Sequence, residues 1–282
     1  MYRIVKKEEL TSVLTLYEID APLVSAKAEP GQFIILRVDE NGERIPITIH
    51  DYDRKKGTVT IVVQTVGATT KKLSRKNEGE YLADFVGPLG NPTELSGYKK
   101  IAVVGGGVGT AIAYPVAKKL HEQGAFVDLI VGFRNKDLVI FEDKFEKACT
   151  NLFITTDDGS CGRKGLVTEV LEENVLAGAD YDAVFCVGPL VMMKYVCKTT
   201  EKYKLRTVIS MCPLMVDGTG MCGCCRLTVG GETKFACVDG PDFDGSLVDF
   251  DEAIKRSGMY GELERHAYEA ECNLFKGVSY NG

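Results

Sequence analysis

The apolar positions of this chain follow two different periods. Through residue 97 they come in short alternating or continuous runs: "VLTLYEI", "QFIILRV", "IPITI", "TVTIVVQTV" and "YLADFVG". Turn-forming stretches such as "EPGQ", "ENGE", "RKKGT" and "GPLGNP" separate them. Short strands at this spacing predict a small antiparallel β barrel or sandwich over residues 1–97. From "KKIAVVGGGVG" onward the pattern changes. Apolar strands "IAVVG", "FVDLIVG", "LFITT", "DAVFCVG" and "TVISM" alternate with helical "TAIAYPVAKKLHEQG", "LVTEVLEENV" and "LVMMKYVCKTTEKYK". That alternation predicts an α/β doubly wound domain over residues 98–207, with helices on both faces of a parallel sheet. Residues 208–282 become glycine- and cysteine-rich, then close on the helical-looking "LVDFDEAIKRSGMYGELERHAYEA".

Composition narrows the partners. A net charge of −6 over 282 residues argues against nucleic acid, whose phosphates need a basic face. No apolar run reaches the length of a membrane span, and "MYRIVKKEEL" lacks the apolar stretch of a signal peptide. The cytoplasm is therefore the expected compartment. Ten cysteines in a cytoplasmic chain point to metal or redox use rather than a disulfide framework. Six of them (Cys149, Cys161, Cys186, Cys197, Cys212, Cys272) are scattered, and a reading as small buried hydrophobes suits most of these.

The remaining four cluster in "VDGTGMCGCCRLTV" and "KFACVDGPDF". Cys222, Cys225 and Cys237 have metal-ligand spacing, and a four-ligand site needs one more donor. Asp217 completes the pattern Asp-x4-Cys-x2-Cys-x11-Cys. From the residues alone Cys212 is a rival for the fourth position, Cys224 a weaker one, and zinc competes evenly with iron–sulfur. The second chemical signal is "AVVGGGVGTA", a glycine loop between a strand and a helix, suited to bringing backbone amides close to phosphate. It departs from the GxGxxG fingerprint at Thr110, and no acidic residue ends the next strand. A barrel followed by such a loop fits a flavin barrel followed by a pyridine-nucleotide domain. His50, His121 and His266 are expected at the surface or in helices, without catalytic roles.

These features together resemble the ferredoxin–NADP reductase superfamily. The likeness is strongest to its branch of dihydroorotate dehydrogenase B electron-transfer subunits and the small subunits of NADH-dependent ferredoxin:NADP oxidoreductases (sulfide dehydrogenase small subunits). It runs nearly end to end. "ERIPITI" is similar to that family's flavin strand, which implies FAD contacts at Arg44, Pro46, Ile47 and Thr48. Thr48 would face the flavin N5 edge and Arg44 the pyrophosphate, although Ile45 intervenes where the family has arginine directly before proline. "VVQTVGATTKKL" implies Val63, Gln64 and Thr65 along the ring and ribose, with Thr69 and Thr70 at the pyrophosphate.

For NAD(H), the resemblance implies Gly106, Gly107, Gly109, Thr110, Gly132, Arg134, Asp158, Gly159, Gly188 and Pro189. Cys186 is displaced by one from the family's cysteine and is not assigned a catalytic role. The resemblance also makes the metal site a [2Fe–2S] cluster on Asp217, Cys222, Cys225 and Cys237, within a small C-terminal iron–sulfur segment. It implies a partner: a larger flavin/iron–sulfur subunit like the glutamate synthase small subunit, binding NADP(H) and serving ferredoxin. The alternatives are a dihydroorotate dehydrogenase partner, or a non-catalytic metal-stabilised nucleotide-binding module.

Overall fold

In the computed structural model, which describes residues 1–273, the first β-sheet is antiparallel and has seven strands. They are β1 (Tyr2–Glu9), β2 (Leu14–Asp20), β3 (Phe33–Arg37), β4 (Arg44–Asp53), β5 (Thr58–Gln64), β6 (Tyr81–Leu82) and β7 (Asp84–Leu89), ordered β6-β1-β2-β5-β4-β3-β7. Two short helices, α1 (Pro22–Ser25) and α2 (Ala68–Ser74), lie between strands. The sheet curls into a nearly closed barrel around Ile4, Tyr17, Ile19, Ile34, Ile61 and Phe85, all essentially inaccessible to solvent. Closure leaves few unpaired strand edges.

Residues 90–99 then carry the chain, without regular structure, into a second sheet. Its parallel strands are β8 (Lys100–Gly106), β9 (Phe126–Phe133), β10 (Asn151–Thr156), β11 (Arg163–Lys164), β12 (Ala183–Val187) and β13 (Thr207–Ser210). Side chains alternate across it. Ile101, Val103, Leu129 and Phe185 face helices α3 (Gly109–Glu122) and α4 (Glu142–Lys147). Ala102, Val104, Ile130, Val184 and Cys186 face α5 (Val167–Leu176) and α6 (Leu190–Lys202). Continuous apolar strands are what burial on both faces requires. Cys186 is fully buried, and desolvation raises its thiol well above the ordinary range, so it is inert packing.

The C-terminal region begins with a hairpin, β14 (Arg226–Val229) and β15 (Glu232–Phe235). Strand β16 (Asp242–Asp244) then pairs antiparallel with β13 and becomes the edge of the second sheet. Helices α7 (Phe250–Ser257) and α8 (Gly261–Asn273) follow, so the long helical stretch of the sequence is broken at Gly258. Residues 274–282 of the expected C-terminal segment lie outside the described residues. The hydrophobic core under α5 and α6 runs on without interruption into Met211, Cys225, Leu227, Ala236, Cys237 and Phe243, and meets Phe33 and Ile35 of the barrel. Among the described residues no helix is long and apolar enough to cross a membrane.

The N-terminal residues, among which no apolar run singles out a strand, form β1 within the expected all-β stretch. One expectation is corrected. His50 is neither at the surface nor in a helix: it is buried on β4, between Tyr114 and Phe141. Burial lowers its imidazole to about 4, so the ring is neutral. His121 does lie on α3, and His266 lies exposed on α8.

Candidate functional site

Strand β4 supplies the barrel's expected flavin wall. Pro46, Ile47 and Thr48 are half-buried there, paired with Ile35, Ile34 and Phe33 of β3. Val63 is buried in the barrel core, so it can offer a ligand only its backbone. The hydroxyls of the next segment are committed locally. Thr70 Oγ1 accepts from the backbone N–H groups of Val66 and Gly67, capping α2, and Thr69 Oγ1 donates to Glu43 at 3.1 Å. What Thr69 and Thr70 leave for a phosphate are the free amides of the first helical turn.

Arg44 points elsewhere. Its guanidinium lies 3.8 Å from Asp84, and it donates to the carbonyls of Val216 and Asp217 at 3.3 and 3.4 Å. In this structure it joins the barrel to the cysteine loop.

The glycine loop sits at the carboxyl end of β8. There the strand order β9-β8-β12 places the second and fifth strands of this sheet on either side of the first, the switch point where open α/β sheets bind ligands. Gly107 donates to the Gly132 carbonyl at 2.9 Å. A Cβ on Gly109 would lie 2.6 Å from the Val187 oxygen, so only glycine lets α3 start against the end of β12. Gly106 and Gly188 likewise share a space filled by Met192. The structure thus gathers Gly106, Gly107, Gly109, Thr110, Gly132, Gly188 and Pro189. Arg134 is exposed just beyond β9. Asp158 and Gly159 lie past β10, two strands from β8, where Asp158 Oδ1 accepts from the Ser160 amide and hydroxyl. Those bonds hold the carboxyl below its usual range.

The cysteine loop runs from Val216 to Cys225 over the barrel. Gly218 packs so closely on Ile35 and Leu89 that a Cβ would meet them at 2.7 and 3.0 Å. Asp217 Oδ2 accepts from the Thr219 amide and hydroxyl and from the Met221 amide, which lowers the carboxyl and leaves Oδ1 outside the turn. The Cys222 thiol is lowered, hydrogen bonding from the Cys224 backbone being the largest cause and the Asp217 and Val216 backbone smaller ones. The Gly220 amide faces Cys237. Cys225 and Cys237 are buried with their sulfurs 3.3 Å apart, and burial with the Cys225 contact raises Cys237 to about 12.

Backbone amides turned onto sulfur are what an iron–sulfur loop provides. In donor chemistry and order the four residues fit a cluster. They are not drawn to one point, since among the described residues no three His, Cys, Asp or Glu side chains converge closely enough to hold a metal ion. Cys224 is half-buried, and its thiol contacts Cys222. Arg256 of α7 holds its carbonyl at 3.2 Å.

Two groups escaped the sequence reading: His50 and Asp242. Asp242 accepts from Thr93 Oγ1 at 2.6 Å, and its Oδ1 is buried without a partner. Burial raises its carboxyl to about 6.

Comparison with known proteins bears on all three regions. Residues 213–249 match the iron-sulfur cluster binding domain of dihydroorotate dehydrogenase B. An uncharacterized Clostridium beijerinckii protein from an adh 3′ region is 54% identical over 95% of this chain and 93% of its own length. A Thermotoga maritima protein, a homolog of the electron transfer subunit of dihydroorotate dehydrogenase B (NAD(+)), is 45% identical over 94% of both chains. A chain from the structure of an NADH-dependent reduced ferredoxin–NADP oxidoreductase, studied for flavin-based electron bifurcation, superposes with a TM-score of 0.91. It is 44% identical, and the match covers 96% of this chain and 97% of that one.

Proposed function

Since this chain belongs to the family of dihydroorotate dehydrogenase B electron-transfer subunits, within the ferredoxin–NADP reductase superfamily, we propose that it is an NADH-linked flavin and iron–sulfur subunit. Its complex is an NADH-dependent ferredoxin:NADP oxidoreductase that bifurcates electrons. A larger flavin/iron–sulfur subunit handles NADP(H) and ferredoxin, and this chain lies on the high-potential branch. The observation that carries the reading is the end-to-end match, at a TM-score of 0.91, to a chain of such an oxidoreductase.

When bound, FAD exchanges hydride with a nicotinamide, and a [2Fe–2S] cluster passes electrons one at a time. The residues divide that work by position. Gly106, Gly107, Gly109 and Thr110 present the start of α3 to a dinucleotide pyrophosphate. Thr48 offers a hydroxyl to the flavin N5 edge. Asp217, Cys222, Cys225 and Cys237 would hold the cluster, and the loop amides would offset the charge on its sulfurs. Ile35 and Leu89 form a wall shared by the barrel and the cluster loop, with Arg44 tying the two together.

A second reading keeps the chemistry and changes the partner to a dihydroorotate dehydrogenase. The match of residues 213–249 to that enzyme's cluster domain favours it, and Asp217 in place of a fourth cysteine argues against it. Anaerobic purification of the native complex tests both. Recovery of a large flavin/iron–sulfur chain, with turnover of NAD-linked and NADP-linked carriers, supports the first reading. A barrel-type partner and bleaching by dihydroorotate would replace it with the second. A colourless protein without flavin would overturn both.

A further inference from the structure

Helix α3, which opens at the glycine loop, carries a proline in its interior, Pro115. Proline has no N–H, so the carbonyl four residues earlier loses its helical partner. That carbonyl belongs to Ala111, and it is not left bare: His50 Nδ1 lies 2.7 Å from it. A carbonyl can only accept, so Nδ1 carries the hydrogen. Nε2 is then a bare lone pair, buried without a partner. The ring is held from both sides, stacked on Tyr114 of α3 at 5.0 Å and on Phe141, just before α4, at 4.8 Å. Packing alone does not call for histidine here. A phenylalanine would stack as well without desolvating Nε2. What histidine adds is the donor.

The two ends of this bond lie close to the two halves of the proposed reaction. His50 follows Thr48 by two residues on β4, and Ala111 directly follows Gly109 and Thr110 at the start of α3. We propose that His50 is a positioning residue: it supplies the hydrogen bond that Pro115 withholds, and so registers the nucleotide-binding end of α3 against the flavin strand. This role rests on the reading of the chain as an NADH–flavin subunit. The bond crosses from barrel to nucleotide domain, where Leu14, Leu16 and Val62 of the barrel also join the core beneath α3. Apolar contacts of that kind are non-directional and tolerate sliding. A hydrogen bond fixes direction and distance. Hydride transfer needs that precision, because a misplacement of about 1 Å can cost on the order of a hundredfold in rate.

The test compares His50→Phe, His50→Asn, Pro115→Ala and the double variant His50→Phe/Pro115→Ala in the native complex. FAD content, thermal midpoint and the single-turnover rate of flavin reduction by saturating NADH are read for each. His50→Phe keeps the stack and loses the donor; its reduction rate should fall roughly 10- to 100-fold with FAD retained. Its midpoint should fall by about 2–4 °C, for a carbonyl left unsatisfied. The double variant gives Ala111 a helical partner, so the midpoint should return while the rate stays low. His50→Asn, whose amide nitrogen can take the place of Nδ1, should recover most of the rate. Pro115→Ala alone competes with His50 for the carbonyl and should slow reduction several-fold. It serves as an independent arm where His50→Phe does not fold. A double variant that recovers rate and midpoint together, or a His50→Phe protein as fast as wild type, overturns the positioning role alone. Wild-type flavin left oxidised by NADH overturns the functional reading and this role with it.

Discussion

Arg44 Nη2 lies 3.4 Å from the carbonyl oxygen of Asp217, so a cation on the expected flavin strand reaches the backbone of the residue expected to complete the cluster. The same guanidinium also helps lower the Asp217 carboxyl. Replacement by methionine removes a positive charge beside the cluster loop. The cluster potential should then fall by about 40 mV, corresponding to about 1 kcal/mol for a partly solvated charge. Redox titration followed by electron paramagnetic resonance reads the shift. Loss of FAD at an unchanged potential would instead place Arg44 at the flavin phosphates.

Asp217→Cys should keep a cluster and change its visible spectrum and potential, because a carboxylate is a harder and less covalent donor than a thiolate. Cys212→Ser should change neither, since Asp217, not Cys212, lies in the glycine-rich loop with Cys222 and completes the ligand spacing. Iron content and circular dichroism of the four single variants Asp217→Cys, Cys212→Ser, Cys222→Ser and Cys224→Ser decide the ligand set. Iron loss on Cys224→Ser would reverse the assignment.

Thr48→Ala should slow the reduction of bound flavin by NADH about tenfold while FAD stays bound, as expected when one hydrogen bond aligning the acceptor is lost. Stopped-flow absorbance at the flavin band follows it. A wild-type rate in this variant would remove Thr48 from the N5 edge.

Asp242 gives the stability a pH dependence of definite sign. Its folded value of about 6 is raised above the ordinary 3.8 by burial, so the folded state binds the proton more tightly than the unfolded chain. Its favourable contribution is therefore complete below the unfolded value and is lost as pH rises through the folded one. Asp242→Asn should abolish that loss, gaining about 2–3 kcal/mol relative to wild type between pH 4 and pH 7. Denaturant midpoints of both proteins across that range test it. Parallel curves would show that Asp242 does not titrate there.

Much of this architecture is local, and local signals are what a sequence carries. The alternation in "TVTIVVQTV" and the unbroken apolar run of "IAVVG" reflect how many faces each strand buries, so barrel and parallel sheet are both legible. The cysteine spacing is legible for the same reason: one loop and the hairpin that follows it carry those donors within a short stretch of chain. Strand β1 was not, because only Ile4 of its eight residues is buried and its pairing with β2 makes the strand. Strand β16 carries no periodic signal in three residues, and the open edge of β13 recruits it. His50 is the clearest case. Nothing around it in the chain announces a role, because the carbonyl it serves lies 61 residues away and is exposed by a proline in another domain. The two sheets, the glycine loop and the order of the expected cluster donors each depend on neighbours along the chain, so they can be read from it directly. Where Arg44, His50 and Asp242 point is set by how distant segments pack, because a buried polar group takes whichever partner that packing leaves unsatisfied.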